Sequence, residues 1–289
     1  MKDRIRTFNK KPDRLPVPRK LQDMIPVRTV YPDGIFELTK GKWSRTFAFS
    51  DINYNAAGLE EKKSYALKYA ELINSIDEEA VVKITVNRRK MNMPEFEKNV
   101  LLKHGEDGID RFRDEYNRIL TEAAQSTNSI IKELYITVTV ERPSYEAAKN
   151  FFNRAENDLG AALVRIGSRI RALDCEERCH IVYDFYRAGE EADYHFDLKD
   201  MMKYGRDFKS YICPDSIEFK PDCMKIGKRY ARVLRLRETA SYVKDNILSR
   251  ITDIDNTSML SIDIIPVPKD VAVAEVKRRL LGAGKNISD

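Results

Sequence analysis

Residues 130–166 read IIKELYITVTVERPSYEAAKNFFNRAENDLGAALVRI. The first part ends in strict alternation of apolar and polar side chains, which predicts a long strand over 130–140. Beyond Pro143, apolar side chains recur every three or four residues as far as Ile166, which predicts an amphipathic helix. Gly167 follows, and glycine readily adopts the positive φ that closes a helix. A strand that leads into such a helix predicts an α+β fold in which helices pack on mixed sheets.

Further strands and helices are predicted before this stretch. Two strands, at 34–38 and 43–50, flank a turn that contains Gly41. In the second strand, large side chains alternate with serine, threonine and alanine, which predicts a half-buried strand. The other predicted elements are a helix over 59–76, a strand over 80–87 and helical segments between 93 and 129, of which 109–123 is the most regular.

The second half of the chain repeats the plan of the first. A short strand over 169–173 leads to Asp174, a favourable N-cap for the helix that follows. Gly227–Leu236 then resembles Gly41–Ser50, because each has a Gly-Lys turn followed by an alternating strand. The predicted elements after it are a helix over 240–251, a strand over 259–266 and a helix that begins at 267.

This order predicts a duplicated strand–helix element, although short hairpins also resemble one another by chance. We therefore predict three parts of the chain. Residues 1–24 form a basic flexible arm, 25–192 form a first α+β subdomain, and 193–289 form a second, smaller and related subdomain.

The basic charge of the protein is concentrated in its first twenty residues. The net charge is +5, and residues 1–20 contain eight basic and two acidic side chains, so the remaining 269 residues have a net charge of −1. The candidate residues for an anionic surface are Lys2, Arg4, Arg6, Lys10, Lys11, Arg14, Arg19 and Lys20. Such an arm binds anionic lipid or nucleic acid, or it is a solvated tail. No apolar run reaches the roughly 18–20 residues of a membrane span, which predicts a cytoplasmic protein.

The sequence lacks the motifs of nucleotide-binding and hydrolytic enzymes. The phosphate loop G-x-x-x-x-G-K-[ST] needs glycines around the phosphate, a lysine, and a hydroxyl for Mg²⁺. The chain has three Gly-Lys pairs, and they are followed by Trp43, Arg229 and Asn286. The nucleophile elbow, H-E-x-x-H and the dinucleotide-binding glycines are also missing. We therefore expect no catalytic, cofactor-binding or metal-ligating residues.

Two polar clusters remain as weaker candidates for chemistry. The denser one comprises Glu190, Glu191, Asp193, His195 and Asp197. Carboxylates beside an imidazole act as acid and base or hold a metal if they converge, and the alternative is a solvated loop before a helix capped by Asp197. The other cluster comprises Cys175, Cys179 and His180, where free thiols in a reducing compartment are the alternative to a metal site.

The chain is rich in aromatic residues, with 14 tyrosines and 12 phenylalanines. Exposed rings form stacking platforms for single-stranded nucleic acid. However, Phe47 and Phe49 lie at strand spacing, and Tyr145 and Phe152 lie at helical spacing. This regularity predicts that most of the rings pack in the core.

Six segments occur together in one order along the chain. They are VRTVYPDGIFEL at 27–38, GKWSRTFAFSDINY at 41–54, DFYRAGEE at 184–191, HFDL at 195–198, DFKSYICPD at 207–215 and LSIDIIPVP at 260–268. Their succession, over roughly residues 15–285, resembles the amino-terminal region of the CagE/TrbE/VirB family of secretion ATPases. The similarity is to the branch of that family found in conjugative elements of Gram-positive bacteria.

The resemblance implies a non-catalytic docking and assembly domain of a conjugative type IV secretion ATPase. In that family a RecA-like motor with the phosphate loop follows this region, so a motor that uses ATP and Mg is expected beyond residue 289. The implied partners are inner-membrane secretion channel proteins, the protein's own motor domain and other subunits of a hexamer, at the inner face of the cell membrane.

Two other functions are alternatives. One is a nucleic-acid-binding module that contacts the transferred strand, which would bind DNA with salt-dependent affinity. The other is a free-standing enzyme that uses the acidic cluster at 190–197.

We predict that this chain does not bind Mg-ATP, because the side chains that hold phosphate and Mg²⁺ are missing from its sequence. Calorimetric titration of the purified chain with Mg-ATP should give no saturable heat. A micromolar affinity would show instead that the chain has a nucleotide site of another kind.

Overall fold

Two antiparallel sheets organise the part of the chain that the structure describes. The structure is a computed structural model, and it describes residues 18, 20–91, 93–105, 107–126, 130–236, 247–252, 254 and 256–287. The strands are β1 (Thr29–Val30), β2 (Phe36–Thr39), β3 (Lys42–Phe49), β4 (Val81–Lys90), β5 (Ile130–Glu141), β6 (Ile170–Ala172), β7 (Ile217–Phe219), β8 (Met224–Ile226), β9 (Arg229–Ala231) and β10 (Ser258–Ile264). The main sheet has the order β1-β2-β3-β5-β4-β10, and β6 also pairs with β3; β7, β8 and β9 form the small sheet.

Helices connect the strands and give the chain an α+β fold, as predicted. They are α1 (Leu59–Asn74), α2 (Met93–Val100), α3 (Asp110–Ser126), α4 (Tyr145–Ile166), α5 (Cys175–Tyr186), α6 (Leu198–Tyr204), α7 (Lys209–Ile212), α8 (Ile247–Thr252) and α9 (Lys269–Ile287). The predicted unit at 130–166 is confirmed: β5 leads into α4, whose first turn is capped by the Ser144 hydroxyl and whose C-cap, Gly167, has φ of +91°. The strand predicted over 80–87 extends three residues further along the chain, since β4 (Val81–Lys90) ends at Lys90.

One face of the main sheet is apolar, and α1 and α4 cover it. Trp43 and Phe47 of β3 lie on this face opposite Val140 and Ile136 of β5, and all four are buried. The apolar stripe of α4 packs against them, with Phe152 fully buried. Burial of large side chains such as these stabilises a fold by about 1.5–3 kcal/mol each. This face is therefore the main hydrophobic core.

The opposite face is polar, but it is also buried. Ser44 and Thr46 of β3 lie on this face, both buried, and the Thr46 and Thr137 hydroxyl oxygens are 2.9 Å apart. Helix α5 covers this side of the sheet, so the predicted half-buried pattern of β3 is wrong. A polar face can be buried here because its hydroxyls have hydrogen-bond partners.

A tight turn, Tyr31-Pro-Asp-Gly34, connects β1 to β2 and is held from both sides. The Gly34 N–H donates to the Tyr31 carbonyl at 2.9 Å, and Gly34 has φ of +76°. The Tyr31 ring stacks on Tyr145 of α4 with centroids 4.3 Å apart, and the Tyr145 hydroxyl donates to Asp33 Oδ2 at 2.7 Å. A Cβ on Gly34 would lie 1.9 Å from the Leu173 carbonyl oxygen just before α5. Only glycine fits at this close approach.

The structure does not show the predicted duplication. The first unit contains the eight-residue strand β3 in the middle of the main sheet, whereas Gly227–Leu236 contributes only the three residues of β9 to the small sheet. The predicted boundary between 192 and 193 stays a prediction. The main sheet nevertheless crosses it, because β10 pairs with β4 from Ser258–Arg88 to Ile264–Val82.

The predicted basic arm lies almost wholly outside the described residues. Lys20 is described and is exposed, while the other candidates lie outside: Lys2, Arg4, Arg6, Lys10, Lys11, Arg14 and Arg19. A turn of 3₁₀ helix, Leu21–Met24, falls within the segment predicted as the arm. In the described part of the chain, no helix is long and apolar enough to cross a membrane.

We predict that Gly34→Ala destabilises the protein much more than Gly108→Ala. Both glycines have a positive φ, at +76° and +77°, so each substitution strains the backbone by about 1 kcal/mol. Only the Cβ at position 34 would also meet backbone atoms within 4 Å, which should add about 2 kcal/mol or more. Denaturant unfolding measures the difference, and equal losses for the two variants would contradict the close packing of the 31–34 turn.

Candidate functional site

Helix α5 crosses the polar face of the main sheet, and Arg178 lies in its first half. Only 8% of Arg178 is exposed. Its Nη1 donates to the carbonyl oxygens of Gly34 at 2.6 Å and Ser44 at 2.9 Å, and its Nη2 donates to the Ser44 hydroxyl at 3.1 Å. The guanidinium also lies 3.9 Å from the ring centroid of Phe36. One side chain thus connects α5, β2, β3 and the turn before β2.

The charge of Arg178 is unusual for so buried a position. Burial lowers the pKa of its guanidinium to about 9, so the group is still charged at neutral pH. Carbonyl oxygens and an aromatic ring replace the water that it loses on folding. The helix begins beside it with a capping box, in which the Asp174 carboxylate accepts from the Glu177 N–H and the Glu177 carboxylate accepts from the Asp174 N–H. The predicted N-cap at Asp174 is confirmed.

The second half of α5 joins an ion-pair network over β4 and β5. Asp184 Oδ2 lies 3.6 Å from Arg89 Nε, which is 3.7 Å from Glu133 Oε2. Asn87 donates to the same Glu133 oxygen at 3.0 Å. His180 Nε2 lies 3.2 Å from Asp184 Oδ1, one helical turn earlier on α5. This network fixes the C-terminal half of the helix to the sheet.

Burial changes the acid–base properties of this network. It raises the pKa of Asp184, against the opposing effects of His180 and Arg89. A carboxyl whose pKa is raised by folding favours the folded state below its unfolded pKa, and this contribution is lost as the pH rises through the folded pKa. Burial and the neighbouring Glu133 carboxylate also raise the pKa of Tyr135, so its phenol stays protonated. Folding thus shifts both Asp184 and Tyr135 toward their protonated forms.

Arg187, just after α5, connects two of the segments that carry the family resemblance. Its Nε donates to the Cys213 carbonyl at 2.8 Å, and its Nη1 and Nη2 donate to Glu190 at 2.9 Å and Asp215 at 2.6 Å. Phe196, from a third segment, packs in the same cluster of buried residues as Cys213. Three stretches that are separate in sequence thus form one packed unit beside α5.

The acidic cluster predicted at 190–197 does not converge on a common point. Glu190 pairs with Arg187, and Glu191 is buried and accepts from a backbone N–H two residues before it. The His195 ring nitrogen Nδ1 lies 2.7 Å from the carbonyl oxygen of Asp193. Asp197 caps α6 by accepting from two backbone N–H groups. These side chains serve local turns, as the structural alternative predicted.

The cysteines are free thiols, three of them buried. A hydrogen bond with Cys175 and burial raise the pKa of Cys179, so this thiol stays protonated and is a poor metal ligand. Among the described residues, no group of three His, Cys, Asp or Glu side chains could hold a metal ion. The rings of Phe47 and Phe152 are fully buried, which confirms the prediction of core packing for them.

Sequence patterns missed the buried polar residues of α5 and its neighbours. Arg178 lies between Cys175 and Cys179 on a helix, and no spacing rule distinguishes it from a solvated arginine. Arg89 and Glu133 are far apart in sequence and meet only because β4 pairs with β5.

The polar groups of this arrangement connect elements of the fold to one another. Arg178 joins α5 to the 31–34 turn, Asp184 pairs with Arg89 of β4, and Arg187 joins the end of α5 to the 207–215 segment. No protein-family model matches this chain, and no curated protein matches it. A functional proposal therefore rests on the residues and surfaces described above.

We predict that Arg178→Met destabilises the protein by about 3 kcal/mol, because it leaves two buried carbonyl groups and one hydroxyl without their donor. Arg171→Met is the matched control, since the Arg171 side chain is exposed and pairs only with Glu177 at 2.7 Å. That change should cost less than about 1 kcal/mol. Equal losses in denaturant unfolding would mean that Arg178 does not hold α5 to the sheet.

Proposed function

We propose that this chain is the amino-terminal, non-catalytic docking and assembly domain of a conjugative type IV secretion ATPase. The observation that carries the proposal is the ordered succession of the six quoted segments. Three of them, at 184–191, 195–198 and 207–215, also pack together around Arg187 and the end of α5. In this proposal the nucleotide site belongs to a motor domain beyond residue 289, which uses ATP and Mg.

The acid and base groups of the described residues support a role without catalysis. The charged side chains of the polar face are paired with one another, and the acidic cluster caps turns and a helix. A catalytic site instead needs a nucleophile or base within reach of a bound substrate. The described polar groups are used in structural contacts, which suits a domain that docks.

An exposed apolar stripe on α3 supports a docking role. Phe112, Tyr116 and Ile119 are all exposed and follow the spacing of one helix face. The loop before α3 is fastened to this helix, since Asn117 exchanges two hydrogen bonds of 2.9 Å with the backbone of Leu102. Contiguous apolar surface of this kind is typical of protein–protein contacts. We assign it to the inner-membrane channel proteins, at the inner face of the cell membrane.

The α3 stripe gives the test of this proposal. The chain should co-purify with the inner-membrane channel proteins of the same conjugative element, from membranes solubilised in detergent. Phe112→Ser, Tyr116→Ser and Ile119→Ser together should lower the recovered channel protein about tenfold or more, because a few apolar side chains dominate most interfaces. The control is Leu59→Ser with Leu67→Ser, which removes two exposed leucines from α1.

Two outcomes would contradict the docking proposal. One is that no channel protein co-purifies with the unaltered chain. The other is a salt-dependent, micromolar affinity of the chain for single-stranded DNA without any channel binding, which would favour the nucleic-acid module.

A further inference from the structure

We propose that residues 228–236 form a contact site for an anionic membrane surface. This segment reads KRYARVLRL and comprises the end of the turn before β9, β9 itself and the five residues after it. It contains four basic side chains and no acidic one. Its four large apolar side chains are strongly exposed: Tyr230 by 65%, Val233 by 75%, Leu234 by 82% and Leu236 by 73%.

The small sheet and the segment after it carry a local excess of positive charge. Residues 217–236 contain six basic and two acidic side chains, a net charge of +4, whereas residues 21–289 as a whole have −1. Two lysines of the small sheet lie beside Tyr230: Lys225 pairs with it across β8 and β9, and Lys220 Nζ is 5.1 Å from its ring centroid. An anionic surface is therefore attracted to this part of the folded domain.

The apolar side chains decide between two kinds of anionic partner. Single-stranded nucleic acid stacks on aromatic rings, and the segment offers only Tyr230 for stacking. Its aliphatic side chains, Val233, Leu234 and Leu236, have no comparable partner on a nucleic acid. At a membrane interface such side chains leave water for the acyl boundary while neighbouring Lys and Arg stay at the headgroups. Aliphatic and basic side chains are interleaved along this exposed segment, which favours a membrane as the partner.

The base of the segment is fixed to the folded domain. β9 pairs with β8, whose Ile226 is buried, and the Gly227 N–H donates to the Ser216 carbonyl at 2.9 Å. Arg232 Nε donates to the Asp222 carbonyl at 2.8 Å. A segment that is held at its base loses less conformational freedom on binding than a free tail does. The site is also separate from the arm at residues 1–24 and independent of the α3 docking surface.

Co-sedimentation of the full chain with protein-free vesicles tests this site. The chain should bind vesicles of mixed phosphatidylglycerol and phosphatidylcholine, bind phosphatidylcholine vesicles weakly, and lose binding as salt screens the charges. Arg232→Glu with Arg235→Glu should lower the partition coefficient about tenfold or more. Leu234→Ser with Leu236→Ser should lower it by a similar factor, because the inserted apolar area is lost.

Matched variants at other exposed positions control for general effects on charge and hydrophobicity. Lys40→Glu with Lys103→Glu, and Phe112→Ser with Ile119→Ser, should bind vesicles as the unaltered chain does. The second pair belongs to the α3 docking surface, so a failure of the membrane site and a failure of the proposed function remain distinguishable. Circular dichroism of each variant checks that it is folded.

Insertion is measured with Leu234→Trp. The only natural tryptophan, Trp43, is buried in the core, so the new ring reports on the segment. Its emission should shift to shorter wavelength on anionic vesicles and be quenched by brominated lipid. Unchanged emission of the Leu234→Trp variant would overturn the site. Full vesicle binding by both Arg232→Glu with Arg235→Glu and Leu234→Ser with Leu236→Ser would also overturn it, and would place any membrane contact on the arm. Binding to a single-stranded oligonucleotide without binding to vesicles would assign the segment to nucleic acid instead.

Discussion

The buried guanidinium of Arg178 holds together three parts of the chain that no short-range signal connects. It donates to the backbone of the 31–34 turn and of β3 and lies against the ring of Phe36 on β2, while its own helix covers the polar face of the sheet. A buried cation is tolerable only when its donors are used, so these contacts also fix where α5 can lie. The position of α5 then places Asp184 over Arg89 and brings the 187–215 unit beside the sheet.

Local patterns in the sequence were sufficient to predict most of the strands and helices in the N-terminal half of the chain. The alternation before residue 140 and the stripe up to Ile166 gave β5 and α4, because side chains in both elements follow the period of the backbone. The burial of the polar face of β3 under α5 could not be predicted in this way, because α5 is far from β3 in the sequence. The structure does not show the predicted duplication either. The length of a strand depends on its pairing partners and not on alternation alone, and beyond β9 the alternating segment contributes no further described residues to the small sheet.

The candidate site was even less accessible to sequence reasoning. Among the acidic residues at 190–197, Glu190 pairs with Arg187, and Glu191 and Asp197 accept from nearby backbone N–H groups. Arg89 and Glu133 of the polar face come together only because of the register in which β4 pairs with β5. The sequence does show where cations and apolar side chains are concentrated, because charge and hydropathy follow directly from residue identity.

The proposed docking role rests on the exposed apolar side chains of α3 and on the ordered succession of the six segments. The central claim is that this domain belongs to a conjugative secretion ATPase and serves a separate motor. The most direct measurement is the sequence of the gene past codon 289. The account predicts a continuous reading frame with a phosphate loop, G-x-x-x-x-G-K-[ST], after a predicted strand and before a helix. A stop codon, or a continuation without that loop, would contradict it.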